Sequence, residues 1–362
     1  MRVLCLREDL VDGLQLSLPF TAQRGSLAIL GGVFLHASEN SLSLKTTDLN
    51  TFFSTSLSCD TEKEGKCVVS ARVFLDILKD MEEERIVMEV AENLLSVEGI
   101  SSRFHLHTMP WEDFPAEPEK GEHLVDDIPA ETLAKSLEKV SRAASKDEKR
   151  PVLTGIYLEV REEGITLVST DSYRLSLMTI TGGFDVMRKG EFMIPSQISQ
   201  GVNRLAQKNR TFQMYGGEAG SYLALASGEN AIKVRLIEGK FPKYEQFIPK
   251  ETDKEALVDR KRILSALRRV THVGSTVKIE LGEEKMRLST ISKDVGEAWE
   301  EVPVEYKGEG ITIAFNGKFL EDGISSVEGE RVYIGLTEPL KPAIVKEADT
   351  DDFLYLVMPV RL

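Results

Sequence analysis

The chain has 362 residues, 41% of them hydrophobic, which exceeds what a single core usually organises and points to two or three domains. Acidic residues outnumber basic ones 59 to 45, a net charge of −14, so the whole surface cannot be built to coat nucleic acid or anionic membrane. No apolar run is long enough to span a bilayer, and the first six residues alternate like a strand and not like a signal peptide, so a soluble, cytoplasmic chain without a membrane partner is expected.

In chain order, the first predicted helix covers residues 7–18 and is followed by a strand–turn–strand unit. That unit runs from Val33-Phe34-Leu35 to Leu42-Ser43-Leu44-Lys45-Thr46-Thr47-Asp48. It recurs from Ile156-Tyr157-Leu158 to Ile165–Asp171, and again from Val277-Lys278-Ile279 to Met286–Ser292. A spacing of about 120 residues means repeated domains, since solenoid units are far shorter. The second and third copies are preceded by predicted helices at 130–144 and 259–270.

Each copy is followed by a short β-like run and a further helix, starting near Ser70, Ser196 and Gly317. Ser70 and Ser196 stand where an N-cap oxygen would accept from first-turn amides, and Asn316 fills that place in the third copy. Each copy closes on a period-2 strand, at Phe104–His107, Ile232–Leu236 and Phe353–Val357. Pro- and Glu-rich connectors at 115–127 and 249–255 separate the copies. The predicted domains are 1–120, 121–249 and 250–362 of an α+β chain.

Charge distinguishes the helices. On 130–146 the apolar residues Leu133, Leu137, Val140 and Ala144 form one stripe, and Lys135, Lys139, Arg142 and Lys146 repeat the spacing two positions on. Two residues rotate a helix by about 200°, which puts this basic stripe opposite the buried one. On 259–270, Arg260, Lys261, Arg262, Arg268 and Arg269 face a lone Asp259. The trailing helices add Arg72 and Lys79, Gln200, Arg204 and Lys208, and Lys318. Such faces suit phosphate contact without sequence readout, because no base-reading motif accompanies them.

No phosphate-binding loop, dinucleotide fingerprint, nucleophile elbow or zinc-protease motif is present, and no cofactor is expected. Cys5, Cys59 and Cys67 lack metal spacing and read as reduced thiols, and His105 and His107 as ordinary strand residues. Asp48 and Asp171 occupy equivalent strand ends and read as turn formers. Two alternatives stand beside a DNA-binding role: an enzyme on a repeated α+β scaffold using Asp48 or Asp171, and a monomeric protein-interaction scaffold.

Four segments in order carry a resemblance over the full length: Ile29-Leu30-Gly31 with Thr47-Asp48-Leu49; Ser169–Leu175; Gly239-Lys240-Phe241-Pro242-Lys243-Tyr244; and Val357-Met358-Pro359-Val360-Arg361-Leu362. The chain resembles the bacterial sliding clamp, the β subunit of DNA polymerase III. The resemblance implies three repeated DNA-clamp domains per chain, outer sheets with inner helices, closing into a ring as a head-to-tail homodimer. Double-stranded DNA would thread the ring, and the clamp would tether the replicative polymerase without a catalytic site of its own. A clamp-loader ATPase would open it, and other polymerases and repair proteins would share one peptide pocket.

For that pocket the resemblance implies Leu153, Thr170, Ser172, Tyr173, Arg174, Leu175, Pro242, Phe247, Asn316, Leu340, Met358, Pro359, Val360, Arg361 and Leu362. It places Arg24, Arg72, Gln197 and Arg204 near DNA, and the stripes add Lys79, Lys135, Lys139, Arg142, Lys146, Lys208, Lys261 and Arg268. The dimer seam would use Phe104 and Leu106 on one side, Val270 and His272 on the other. Ser172-Tyr173 departs from a smaller Gly-His pair of the family, Gln246 replaces a basic residue, and 271–277 is shortened.

Overall fold

The computed structural model describes residues 1–22, 27–216, 221–282 and 284–361. Each of the three repeats is itself double: strand, helix and three strands, then the same order again. In the first repeat these halves are Arg2–Leu6, helix Arg7–Ser17 and strands Gly32–Ser38, Ser41–Thr47 and Thr51–Ser58, then Gly65–Ser70, helix Ala71–Asp80 and strands Arg85–Ala91, Leu94–Glu98 and Arg103–His107. The second repeat runs from Glu122–Pro129 to Asn230–Arg235 and the third from Lys254–Asp259 to Phe353–Val357.

By contacts the chain divides into two compact units. The first joins Met1–Ala134 to Gly183–Leu236. One of its sheets has the order Asp60–Lys63, Arg2–Leu6, Arg85–Ala91, Leu94–Glu98, Arg103–His107. A second, longer sheet passes from the second repeat into the first where Asn230–Arg235 pairs antiparallel with Thr51–Ser58, Ala231 opposite Ser54 and Val234 opposite Thr51. Helices Arg7–Ser17 and Ala71–Asp80 close a core of Leu10, Leu14, Val33, Leu35, Phe74 and Leu78. Ala71, Phe74, Leu75 and Leu78 fall at i, i+3, i+4 and i+7, so one face of the helix is buried. Ser70 caps that helix, accepting from the Val73 amide at 3.5 Å.

The second unit joins Lys135–Gly182 to Ile237–Leu362. Its sheet crosses from repeat two to repeat three in the same manner: Arg174–Ile180 pairs antiparallel with Phe353–Val357, with Arg174 opposite Val357 and Met178 opposite Phe353. The third-repeat core contains Ile263, Leu267 and Val270 of helix Arg260–Thr271 and Leu320 and Ile324 of helix Gly317–Ser326. Asp259 Oδ1 caps the first, accepting from the Arg262 amide at 2.8 Å, and Asn316 Oδ1 caps the second, accepting from the amides of Lys318 and Phe319 at 3.0 and 3.2 Å.

Two boundaries differ from the sequence reading. The helix expected over 130–144 ends at Ser141, so Lys146 lies beyond it. The connector expected over 115–127 contains the start of strand Glu122–Pro129, which pairs with Thr211–Gly216. Polar composition disguised an edge-like strand as a linker. All three cysteines are free and buried; burial raises Cys5 above the ordinary thiol value and pushes Cys67 up to about 12, so neither is a ready nucleophile.

Candidate functional site

Two turns of identical construction end equivalent strands. In the first repeat Asp48 Oδ1 accepts from the amides of Asn50 and Thr51, while Thr47 Oγ1 donates to the Thr51 carbonyl at 2.8 Å and accepts from the Leu49 amide. In the second, Asp171 Oδ1 accepts from the amides of Tyr173 and Arg174 at 2.9 and 3.0 Å. Thr170 Oγ1 donates to the Arg174 carbonyl at 2.6 Å and accepts from the Ser172 amide. Leu49 and Ser172 both sit at positive φ, 76° and 80°. Asp48 and Asp171 are therefore turn formers whose Oδ1 atoms are engaged by backbone amides.

The second turn carries more than the first. Arg174, 8% exposed, donates from Nε to Asp171 Oδ2 at 2.9 Å and from Nη1 to Asp322 Oδ2 at 2.6 Å and Tyr355 Oη at 3.4 Å. Its guanidinium carbon also lies 4.2 Å from the centre of the Phe319 ring. Burial acts against the charge, but Tyr355, Asp322 and Asp171 outweigh it and the Arg174 pKa lies above the ordinary arginine value. Gly323 makes room for this arrangement: a Cβ there would meet Tyr355 Cδ1 at 2.4 Å.

The tail is pinned to the same place. The Met358 amide donates to the Tyr173 carbonyl at 2.8 Å, Pro359 bridges to Phe315, and the Val360 amide donates to the Ala314 carbonyl at 2.8 Å. Arg150 adds a strap, with Nη1 donating to Ser172 Oγ at 3.0 Å and Nη2 to the Asp171 carbonyl at 3.4 Å. Leu153, one turn on, donates its amide to the Arg150 carbonyl at 2.9 Å. Thus Leu153, Thr170, Ser172, Tyr173, Arg174, Leu175, Met358, Pro359 and Val360 come together, with Tyr173 62% exposed above a buried floor.

Other predicted pocket residues are placed but not joined to Arg174. Pro242 follows Phe241, which stacks on Tyr157 at 5.3 Å between centroids, and Tyr244 packs against both rings. Phe247, at the end of the short 3-10 helix Tyr244–Phe247, and Leu340, in a turn, are exposed apolar side chains. Asn316 serves as the helix cap described above, so its side-chain oxygen is committed to amides. Arg361 is exposed, and Leu362 lies outside the described residues. Sequence reading missed Arg150, Asp171 as a partner of Arg174, Phe319, Asp322 and Tyr355. Helix periodicity from Asn316 puts Phe319 and Asp322 three residues apart on one face, but nothing in that spacing points to Arg174.

The basic residues divide in two. Lys79, Lys135, Gln197, Arg204 and Lys261 are exposed. Arg72 pairs with Asp76 at 3.4 Å, Arg142 with Glu138 at 2.9 Å, Arg268 with Glu321 at 2.8 Å, and Lys208 with Asp12, pairs exposed enough to exchange for a phosphate at little cost. Lys139 is different. Its side chain is 14% exposed, donates to Glu328 at 3.0 Å and lies over the Phe353 ring, so its assignment to a solvent-facing stripe is corrected. Lys146 is exposed beyond the helix end, and Arg24 lies outside the described residues.

At the predicted seam, Phe104 is 37% exposed and Leu106 half-buried against the first-repeat core. Val270, 1% exposed, belongs to the third-repeat core and cannot offer its side chain to a second subunit. His272 beside it is exposed.

The DNA polymerase III beta subunit profiles match the whole length in order: the N-terminal domain at residues 1–118, the central domain at 127–243 and the C-terminal domain at 245–361. A curated relative, the beta sliding clamp of Pseudomonas aeruginosa, is 30% identical over 367 residues, covering 98% of both chains. The chain belongs to the DNA polymerase III beta subunit family. Its three clamp domains and its function are those of a sliding clamp, a processivity factor in DNA replication.

Solved clamps agree. The chain superposes on the DNA polymerase III beta subunit of Thermotoga maritima with a TM-score of 0.92 at 26% identity, covering 100% of this chain and 99% of that one. It superposes on a Pseudomonas aeruginosa sliding clamp bound to griselimycin with a TM-score of 0.94 at 29% identity, covering both chains entirely. Ser172 occupies a turn position whose φ of 80° favours glycine, and its hydroxyl accepts from Arg150. Among the described residues no helix is long and apolar enough to cross a membrane, and no cluster of three or more His, Cys, Asp or Glu could hold a metal.

Proposed function

We propose that two copies of this clamp pair head to tail into a ring that duplex DNA threads, and that the Arg174 groove captures partner peptides. One observation carries the ring. Both sheet joints within the chain follow one rule, in which the fourth strand of a domain, the last of its first half, pairs with the last strand of the next domain. Two strands of these types are left over: Gly296–Lys307, whose residues 296–303 pair only with Lys285–Ser292 among the described residues, and Arg103–His107, paired there only with Leu94–Glu98.

Applying the rule once more joins the last domain of one copy to the first of another. Transferring the register of Arg174–Ile180 with Phe353–Val357 sets Ala298 opposite Phe104 of the partner subunit and Gly296 opposite Leu106 of the partner subunit. Edge strands with unpaired amides and carbonyls favour such closure. This register, and not Val270, defines the third-domain side of the seam.

The exposed cations Lys79, Arg204 and Lys261, together with Lys135 and with Arg72, Arg142, Lys208 and Arg268 freed from surface pairs, would face the phosphates. Contacts of this kind are sequence-neutral and salt-dependent, which suits sliding. The Arg174 groove offers a peptide exposed Tyr173 and Met358 on a rigid floor and a buried charge network. Replicative and repair polymerases and a loader ATPase are the partners this reading implies, with no catalytic group in the clamp itself. Replacing Phe104 and Leu106 by alanine tests the seam: sedimentation should report one chain where the unaltered protein reports two. A dimer that survives both changes would refute it.

A further inference from the structure

We propose that the exposed face of the third domain's strands Thr276–Leu281, Lys285–Ser292 and Gly296–Lys307 is a second docking surface, for an extended partner segment carrying an aromatic–proline pair and a carboxylate three residues after the aromatic. The internal repeat supplies the argument. Phe34, Lys45 and Ser54 lie side by side across three strands of the first domain, Lys45 being opposite both Phe34 and Ser54. Tyr157, Val168 and Leu177 form the same row in the second domain, and Lys278, Ser289 and Trp299 in the third.

The first two rows are covered by the chain that follows each domain. In the first, Phe114 packs on Phe34 at 5.2 Å between centroids, and Glu117 bonds Lys45 at 2.8 Å, Lys233 at 2.9 Å and Ser54 at 3.2 Å. In the second, Phe241 and Tyr244 cover Tyr157, and Val168 and Leu177 join the same apolar cluster. Both covers contain Phe-Pro, at Phe114-Pro115 and Phe241-Pro242.

The third row lines an open depression of about 490 Å³, with Trp299 58% and neighbouring Ile291 80% exposed. Arg287, two residues before Ser289 on the same face of its strand, stands 4.7 Å from the centre of the Trp299 ring. An aromatic side chain against Trp299 and a carboxylate on Arg287 would reproduce the Phe114 and Glu117 contacts with the cation displaced along the strand. Edge pairing does not compete, since the second-domain row is covered although Leu177 pairs with Leu354. The proposal therefore stands whether or not a second copy closes the ring.

The chain contains two tryptophans, Trp111 and Trp299, so a Trp111→Phe variant reports on Trp299 alone. The probe is a labelled synthetic peptide of residues 108–119 with phenylalanine in place of its tryptophan. Saturable binding that shifts Trp299 emission, weakened about tenfold or more by Arg287→Glu and, in the otherwise unaltered chain, by Trp299→Ala, is the expected result. Absence of binding, or binding that leaves Trp299 emission and both variants unchanged, overturns the proposal. So does binding lost when the chain is stopped after Val357 but kept in Arg287→Glu, because the peptide would then occupy the Arg174 groove.

Discussion

Arg174 and Asp322, 148 residues apart in sequence, meet at 2.6 Å between Nη1 and Oδ2, and this contact ties the second-domain turn to the helix Gly317–Ser326. Both side chains are largely shielded from water. Removing Asp322 leaves Arg174 with Asp171 as its remaining carboxylate partner. Asp322→Ala should cost roughly 1–3 kcal/mol of stability, read by denaturant unfolding, and weaken capture of a clamp-binding peptide several-fold. Asp171→Ala should do more, because it removes the turn as well as the ion pair.

The tail supplies the other wall. Met358 donates a backbone bond to Tyr173 in the turn and Val360 one to Ala314 inside strand Ile311–Asn316, so the segment is held and not frayed. A chain stopped after Val357 should lose peptide capture in a polarisation assay while sedimenting as a dimer. Unchanged peptide affinity would remove the tail from the groove.

Acid should loosen the joint between the first two domains. Burial tends to raise the Glu117 pKa, but bonds from Lys45 and Lys233 outweigh it and hold the carboxyl below the ordinary glutamate value. A carboxyl depressed on folding stabilises above its unfolded value, and that contribution is lost as pH falls through the folded one. Stability should therefore decline below the usual glutamate range, and Glu117→Gln should flatten this limb in urea unfolding measured against pH. An unchanged limb would assign the acid sensitivity to other groups.

The basic residues separate lining from structure. Charge reversal at Lys79, Arg204 and Lys261 should shorten retention on circular DNA and flatten its salt dependence without lowering thermal stability. Lys139→Glu should do the opposite first, setting a new carboxylate against Glu328, whose pKa is now held down chiefly by the Lys139 bond. Its melting temperature should fall by several degrees.

Periodicity and repetition made the three domains legible, because helices at 7–18 and 259–270 and strands at Phe353–Val357 follow local rules. The doubling within each domain was hidden, since its halves share shape and little sequence. Lys139 shows the limit of a helical wheel: spacing put it opposite the buried stripe, yet Glu328 and Phe353, 189 and 214 residues on, enclose it. The same holds for Asp322 and Tyr355, partners of Arg174 that no local pattern links to it. Val270 was misplaced for the converse reason, its neighbour His272 being exposed while it faces the core.

Retention on closed versus opened DNA tests the central claim most directly. Once loaded on a nicked circular duplex, the protein should stay bound through gel filtration, and cutting that circle once should release it from the ends. Equal retention on circular and linear DNA would contradict a ring that holds by encirclement.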